Sequence, residues 1–167
     1  MKMTNKTIKI PKKHYMSDRG VPMFICDDWL TNGKFAIRKE FIDGEQVAIF
    51  KHHIDIEGIR MPDMGHVMPD MSSVSPLAIS GILLESDDYT QRLCVVSGER
   101  LYIDDSIFKL LKPAFTKGVN TVGTDGKSPV IFARDGEPMA MIMPMIAKHS
   151  NNVLDSFLNN THREIEK

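Results

Sequence analysis

The densest set of side chains able to do chemistry lies in one stretch: His52, His53, Asp55, Asp63, His66 and Asp70. Imidazole and carboxylate together could hold Zn²⁺ or another divalent ion. Adjacent residues of a strand point to opposite faces, so His52 and His53 could share a metal only if a bulge intervenes. Surface histidines beside a loop are the plainer reading of the same residues. Met61, Met64, Met68 and Met71 surround His66 and could take a soft metal, although methionines more often fill gaps or form adaptable surfaces. Gly126-Lys127-Ser128 echoes a phosphate-binding loop, but the earlier glycine falls at Thr121 and a strand, not a helix, is expected next. There is no Gly-x-Ser-x-Gly elbow. Nothing around Cys26 in the sequence would lower a thiol pKa. The reading leans away from an enzyme, with no catalytic residue, no metal and no cofactor expected. A small metal-dependent hydrolase centred on His52, His53, Asp55 and His66 is the alternative.

The elements that must carry these residues follow from composition and pattern. The chain has 167 residues, 42% apolar and 26% charged, with a formal net charge of −1. That suits one folded domain with a real core and excludes collagen-like and disordered classes. Its longest apolar run, Met139 to Ala147, is about half the ~20 residues a membrane helix needs. No secretory signal and no membrane partner are therefore expected. The two cysteines, Cys26 and Cys94, fit a reducing compartment and a cytoplasmic location. Residues 1–20 carry Lys2, Lys6, Lys9, Lys12, Lys13 and Arg19 against Asp18 alone, whereas residues 54–105 carry three arginines against ten carboxylates. A basic arm on an acidic body is either a solvated tail or a partner signal.

Along the chain, strands are expected at Val21–Cys26 and over a long stretch from Gln46 to Glu57, with a bulge near His52 and His53. Between them Asp27 to Gly33 reads as turn chemistry, and Lys34 to Asp43 as a short helix with Phe35, Ile37, Phe41 and Ile42 on one face. Trp29 and Leu30 are either an exposed anchor or a plug of the core. Residues 58–76 read as a loop. Strands follow at Leu77–Glu85, Arg92–Ser97 and Arg100–Ile103. The clearest helix starts at Asp104 or Asp105 and runs to about Lys117, with Ile107, Leu110, Leu111, Ala114 and Phe115 at helical spacing and Pro113 loosening its end. Three strands come next, Val119–Thr124, Pro129–Ala133 and Met139–Ile146, and the methionines of the last alternate on one face. The tail from Ser150 reads as a helix with Val153, Leu154, Phe157 and Leu158 as an apolar patch. This order predicts an α+β fold of antiparallel sheets with few helices. Residues 1–20 form a basic arm, 21–148 one domain and 149–167 a helical tail.

In its second half the chain resembles a known family. The run from Tyr102 to Lys112, then Val119-Asn-Thr-Val-Gly-Thr-Asp, Ser128-Pro-Val-Ile-Phe and Glu137-Pro-Met-Ala-Met-Ile-Met-Pro-Met is similar to the closing half-domain of a DNA sliding clamp. Asn32 to Ile42 looks like the corresponding earlier helix. The resemblance implies a clamp-like fold with two short helices, antiparallel sheets and an internal pseudo-twofold. It implies a non-enzymatic role around DNA replication, through self-assembly or sequence-independent contact with double-stranded DNA. Lys34, Arg38 and Lys39 on one helix and Lys109, Lys112 and Lys117 on the other would be the phosphate-facing cations. The implied partners are duplex DNA, a replication or defence protein, and further copies of the chain as a homo-oligomer. A second reading makes the chain a protein-interaction or regulatory module, with Val153, Leu154, Phe157 and Leu158 touching the partner.

Overall fold

A computed structural model describes residues 7–17, 20–50, 68–115, 117–145 and 148–165, with side chains in the last segment described at 150–159. Nine strands form one antiparallel system: β1 (Phe24–Cys26), β2 (Trp29–Thr31), β3 (Phe35–Arg38), β4 (Ser75–Glu85), β5 (Thr90–Val96), β6 (Glu99–Asp104), β7 (Asn120–Gly123), β8 (Val130–Arg134) and β9 (Glu137–Ile142). Their spatial order is β1-β2-β3-β9-β8-β7-β4-β5-β6. Among the described residues the α-helices are α1 (Gly44–Val47), α2 (Asp105–Leu111) and α3 (Lys148–Ile165). The α+β class expected from the strand and turn signals is present.

Turn residues set the hairpins. Asp135 and Gly136 both have positive φ and join β8 to β9, and Ser97 and Gly98 do the same for β5 and β6. These are the two-residue loops whose twist matches the strands they connect. Asp27, also at positive φ, turns β1 into β2, so Trp29 to Thr31 form a strand where turn chemistry was expected.

β4 links the two parts of the sheet. Its Ser75 and Pro76 pair with Gly123 and Val122 of β7, while Leu77 onward pairs with β5. A bulge between Ile79 and Leu83 interrupts the part of β4 that pairs with β5. At the far end, the chain leaving β9 reaches β6: Met145 N–H donates to Tyr102 O at 2.8 Å. The ladder β9-β8-β7-β4-β5-β6 therefore closes on itself. Inside lie Leu77, Cys94, Val96, Leu101 and Ile103 with Val130, Phe132 and Ile142, and α2 adds Ile107, Phe108 and Leu111. Phe115 stacks on Phe132 and meets Phe41 edge-on, tying the end of the helical segment to the sheet.

The expected helix over Lys34 to Asp43 is not formed. Phe35 to Arg38 is a strand, and Lys39 to Phe41 is a single 3₁₀ turn. Phe35 and Ile37 enter the inner core while Ala36 joins the cluster on the opposite face. A segment flanked by β2 and β9 and covered on both faces is better served by period two than by a helical stripe. The helical pair implied by the clamp resemblance is thus reduced to α2, which lies where it was expected and passes into a 3₁₀ turn at Lys112–Ala114 around Pro113.

The first part of the long strand expected from Gln46 to Glu57, residues 46–50, is also replaced. Asp43 accepts from Glu45 N–H and caps α1, and the chain turns through Phe50. Gln46 instead bonds both backbone groups of Ile10, at 2.7 Å each. That bond helps tie down the first segment: Ile8 and Ile10 are buried in the core, so the described part of the basic arm belongs to the body. Residues 51–57, including the bulge expected at His52 and His53, lie outside the described residues.

β9 is buried from Met139 to Ile142, but its methionines do not share a face. The β8–β9 register shifts between Phe132 and Ala133, which puts Met139 with the inner core and Met141 outside.

Candidate functional site

A cleft of about 700 Å³ opens where four loops meet. One wall is the 3₁₀ turn Lys12–His14, which follows Pro11. A second is the turn Asn32–Lys34 between β2 and β3. The tip of the β4–β5 hairpin, Asp88 to Thr90, and the start of α2, Asp104 to Ile107, complete it, with Met145 behind.

Asn32 fastens the first two walls together. Its amide Nδ2 donates to His14 O at 3.1 Å, and its Oδ1 accepts from Lys34 N–H and Phe35 N–H. Gly33, at φ +87°, allows this tight turn. The α2 wall is fixed by Asp104, whose Oδ1 accepts from Ser106 N–H at 2.9 Å and from Ser106 Oγ at 2.7 Å. Met143 N–H donates to Lys34 O, which sets the back of the cleft. Gln91 Nε2 reaches the Met145 sulfur, and Ser150 Oγ donates to Gln91 Oε1.

His14 lines this cleft and is only 9% exposed. Its ring meets Phe35 edge-on with centroids 5.7 Å apart, and its Nε2 has no hydrogen-bond partner. Leaving such a buried polar atom unmet costs about 1–3 kcal/mol. Burial, then Lys13, push the His14 pKa down; Asp104 pulls it up and Lys34 adds to the lowering. At neutral pH the ring is uncharged and can accept or donate one bond at the unmet nitrogen. Behind it, Asp105 is buried and takes Arg92 Nε at 2.7 Å and Lys109 Nζ at 3.1 Å. Burial alone would raise the Asp105 pKa, but these hydrogen bonds overcome it and hold the carboxyl below its ordinary range.

The cations expected to face DNA do not form one row. Lys34 and Lys109 both line the cleft. Lys112, just past the end of α2, lies over the Phe108 ring at 5.7 Å. Arg38 and Lys39 sit at the other end of β3. There Arg38 Nε donates to Pro138 O, its guanidinium lies 5.0 Å from the Trp29 ring centroid, and Lys39 approaches Asp28 at 4.0 Å. Lys117 contributes its carbonyl to Arg134. Trp29 is buried under Arg38, so the plug reading holds.

The expected apolar patch of the tail is divided. Leu154 is buried against Leu93 and Tyr102, whereas Val153 and Leu158 are each 44% exposed and Phe157 65%. Polar contacts align α3 on the outer face of the β5–β6 hairpin: Tyr102 Oη donates to Asn151 Oδ1 at 2.6 Å and Arg100 pairs with Asp155 at 2.6 Å.

Of the proposed metal ligands, His52, His53, Asp55, Asp63 and His66 lie outside the described residues, as do Met61 and Met64. Asp70 is described; its carboxylate accepts from Ser72 N–H, which lowers its pKa. Met68 and Met71 pack on the outer apolar cluster. No group of three metal-ligating side chains occurs among the described residues. Gly126-Lys127-Ser128 closes against the backbone of Arg100 and is followed by β8, the context expected to exclude a phosphate loop.

Sequence reasoning missed His14. Lys12-Lys13-His14 reads as solvated arm; the one available signal was Ile8 and Ile10 at spacing two, which marks that arm as partly buried. Among the described residues, no helix is long and apolar enough to cross a membrane. No family model, no curated protein and no solved structure matches this chain.

Proposed function

We propose that this chain is a non-enzymatic protein-interaction module whose partner face is built from α3 and the adjoining outer surface of β5. The observation that carries the reading is the incomplete burial of α3. Ser150 meets Gln91, and Leu154 meets Leu93, so the helix runs along β5 in the same direction. Four helical residues advance about 6 Å and two strand residues about 7 Å, which sets Leu158 near Val95. Val95 is itself 37% exposed. Val153 and Leu158 flank the buried Leu154 on its two sides, and with Val95 they are apolar surface beyond what the fold uses, the kind of surface that marks an interaction site. Self-association is the first form to test. The native chain should sediment as a dimer or larger near about 10 µM, within the range of ordinary specific contacts. The Val153→Ser, Leu158→Ser variant should sediment as a monomer with unchanged circular dichroism. A native monomer that retains no protein the double variant fails to retain would remove the reading.

A second reading keeps the clamp resemblance: sequence-independent contact with duplex DNA in or around replication. Its support is the solvent side of α2 and of the 3₁₀ turn that follows it, where Lys109 and Lys112 are exposed opposite the buried Ile107, Phe108 and Leu111. Two such contacts give a log–log salt slope of about −2, against about −5 for six. Fluorescence anisotropy with a labelled duplex separates these values, and absence of binding at about 50 mM salt sinks the reading.

A further inference from the structure

We propose that His14 is an acid-sensitive latch on the N-terminal segment: the neutral ring holds residues 7–17 docked on the body, and charging the ring loosens them. The device is separate from the partner face on α3.

The segment is docked by contacts on either side of His14. Ile8 and Ile10 are buried in the inner core. Ile8 N–H donates to Phe41 O at 2.8 Å, Asp43 N–H to Ile8 O at 3.0 Å, and Met23 N–H to Tyr15 O at 2.8 Å. Tyr15 Oη accepts from Gln46 Nε2 at 2.8 Å, and its ring meets Phe50 edge-on. Between these anchors the His14 ring packs on Phe35 and its carbonyl accepts from Asn32. Lys9, Lys12 and Lys13 are exposed, so among the basic side chains of the described segment the imidazole is the buried one.

The state of the buried nitrogen decides how well this ring fits. His14 Nε2 has less than 1 Å² of accessible surface and no hydrogen-bond partner. In the neutral ring the single proton can sit on Nδ1, which leaves Nε2 as a bare lone pair. The charged ring carries a hydrogen on both nitrogens, and the one on Nε2 meets neither an acceptor nor water. Burying a charged donor unpaired costs far more than burying an unmet lone pair. The surrounding groups do not compensate. Lys13 stands on the same turn, Lys34 on the β2–β3 turn, Asp88 and Tyr89 on the β4–β5 tip, and Asp104, Asp105 and Lys109 on the α2 side, so three aspartates meet three lysines. Asp104 Oδ1 is taken up by Ser106, and Asp105 by Arg92 and Lys109. Burial, then Lys13, therefore keep the docked ring's midpoint below the ordinary 6.5 against the pull of Asp104, with Lys34 adding to the lowering. A released ring titrates at the ordinary value, so protons bind the released segment first, and docking weakens as pH falls through 6.5. Release uncovers the sides of Phe35 and Ile42 that the segment covers.

The test is amide hydrogen exchange of the full chain by NMR at about pH 7.5 and about pH 5, corrected for the intrinsic rate at each pH. The amides of Ile8, Ile10, Met23 and Asp43 report docking, and those of β8 and β9 report the whole fold. Protection of the segment should lie below that of β8 and β9 and should fall about tenfold at the lower pH, with a ceiling of about 30-fold set by the ordinary imidazole midpoint. The His14 ring resonances, assigned with His14→Gln, should titrate below 6.5. His14→Phe keeps a ring against Phe35 and cannot be charged, so the segment's protection should be equal at the two pH values. His14→Gln gives the same reading should the phenyl ring disturb the packing. A wild-type midpoint at or above 6.5, no fall in protection of the segment, the same fall in both variants, or exchange of the segment only together with β8 and β9 would each overturn the proposal.

Discussion

Asp105 shows how one residue joins several parts of this molecule. It begins α2, is almost wholly buried, and takes hydrogen bonds from Arg92 on β5 and Lys109 one turn on. Arg92 in turn lies 4.8 Å from the Phe108 ring and donates to Ser80 O on β4. Removing the carboxylate's charge would leave the half-buried Arg92 guanidinium uncompensated. Asp105→Asn should therefore cost about 3 kcal/mol near neutral pH, measured by urea unfolding. The sign of the pH effect follows from the depressed pKa. The stabilisation is present above the unfolded value, about 3.9, and is lost as pH falls through the lower folded value. Wild-type stability should thus drop more steeply than the variant's below about pH 4. Parallel curves would place the stabilising interaction elsewhere. Cys94, on the inner face of β5, has its thiol pKa pushed up to about 12 by burial, partly offset by Arg92, which makes it a core residue and not a nucleophile.

At the scale of elements, the fold depends on close approaches that a pattern of apolar residues does not record. Gly126 lies in the connection between β7 and β8, and a Cβ there would stand 2.8 Å from Arg100 O on β6. The obstacle is backbone and cannot swing aside. Gly126→Ala should destabilise by about 1–3 kcal/mol, whereas Gly81→Ala in β4, with open space around it, should change little. Equal unfolding midpoints for the two would contradict this contact. α3 provides the complementary case. Leu154 is its buried apolar anchor among the side chains described there, with Leu93 and Tyr102 beneath it. Leu154→Ala should cost about 2–4 kcal/mol of helix docking. By hydrogen exchange, protection should fall across α3 and persist in β8 and β9. Loss spread evenly over the sheet would mean that the helix is integral to the core.

For the whole molecule, the main consequence of the topology is long-range pairing. β3 pairs with β9 across roughly a hundred residues, Ala36 opposite Met141, and the ring closes only when Met145 reaches Tyr102. Contacts so distant in sequence must overcome loop entropy before they stabilise anything. Refolding is expected in milliseconds to seconds rather than microseconds. Trp29, the single tryptophan, sits on β2 beside β3 and reports it by stopped-flow fluorescence. A microsecond recovery of its signal would show that β1 to β3 form without β9.

The sequence by itself determined the α+β class, the β5–β6 and β8–β9 hairpins, α2 with its Pro113 ending, and the C-terminal helix. Each is encoded locally, by Ser97-Gly98 and Asp135-Gly136 turns, by the Ile107–Leu111 stripe, or by the spacing of Val153 to Leu158. Only the tertiary structure decided that Phe35 to Arg38 is a strand, because β2 on one side and β9 on the other supply hydrogen bonds and two apolar faces that no local window contains. The cleft was equally hidden. His14, Asn32, Tyr89 and Asp104 come from four separate segments, and an unmet nitrogen at their junction is a property of packing, not of any stretch of chain.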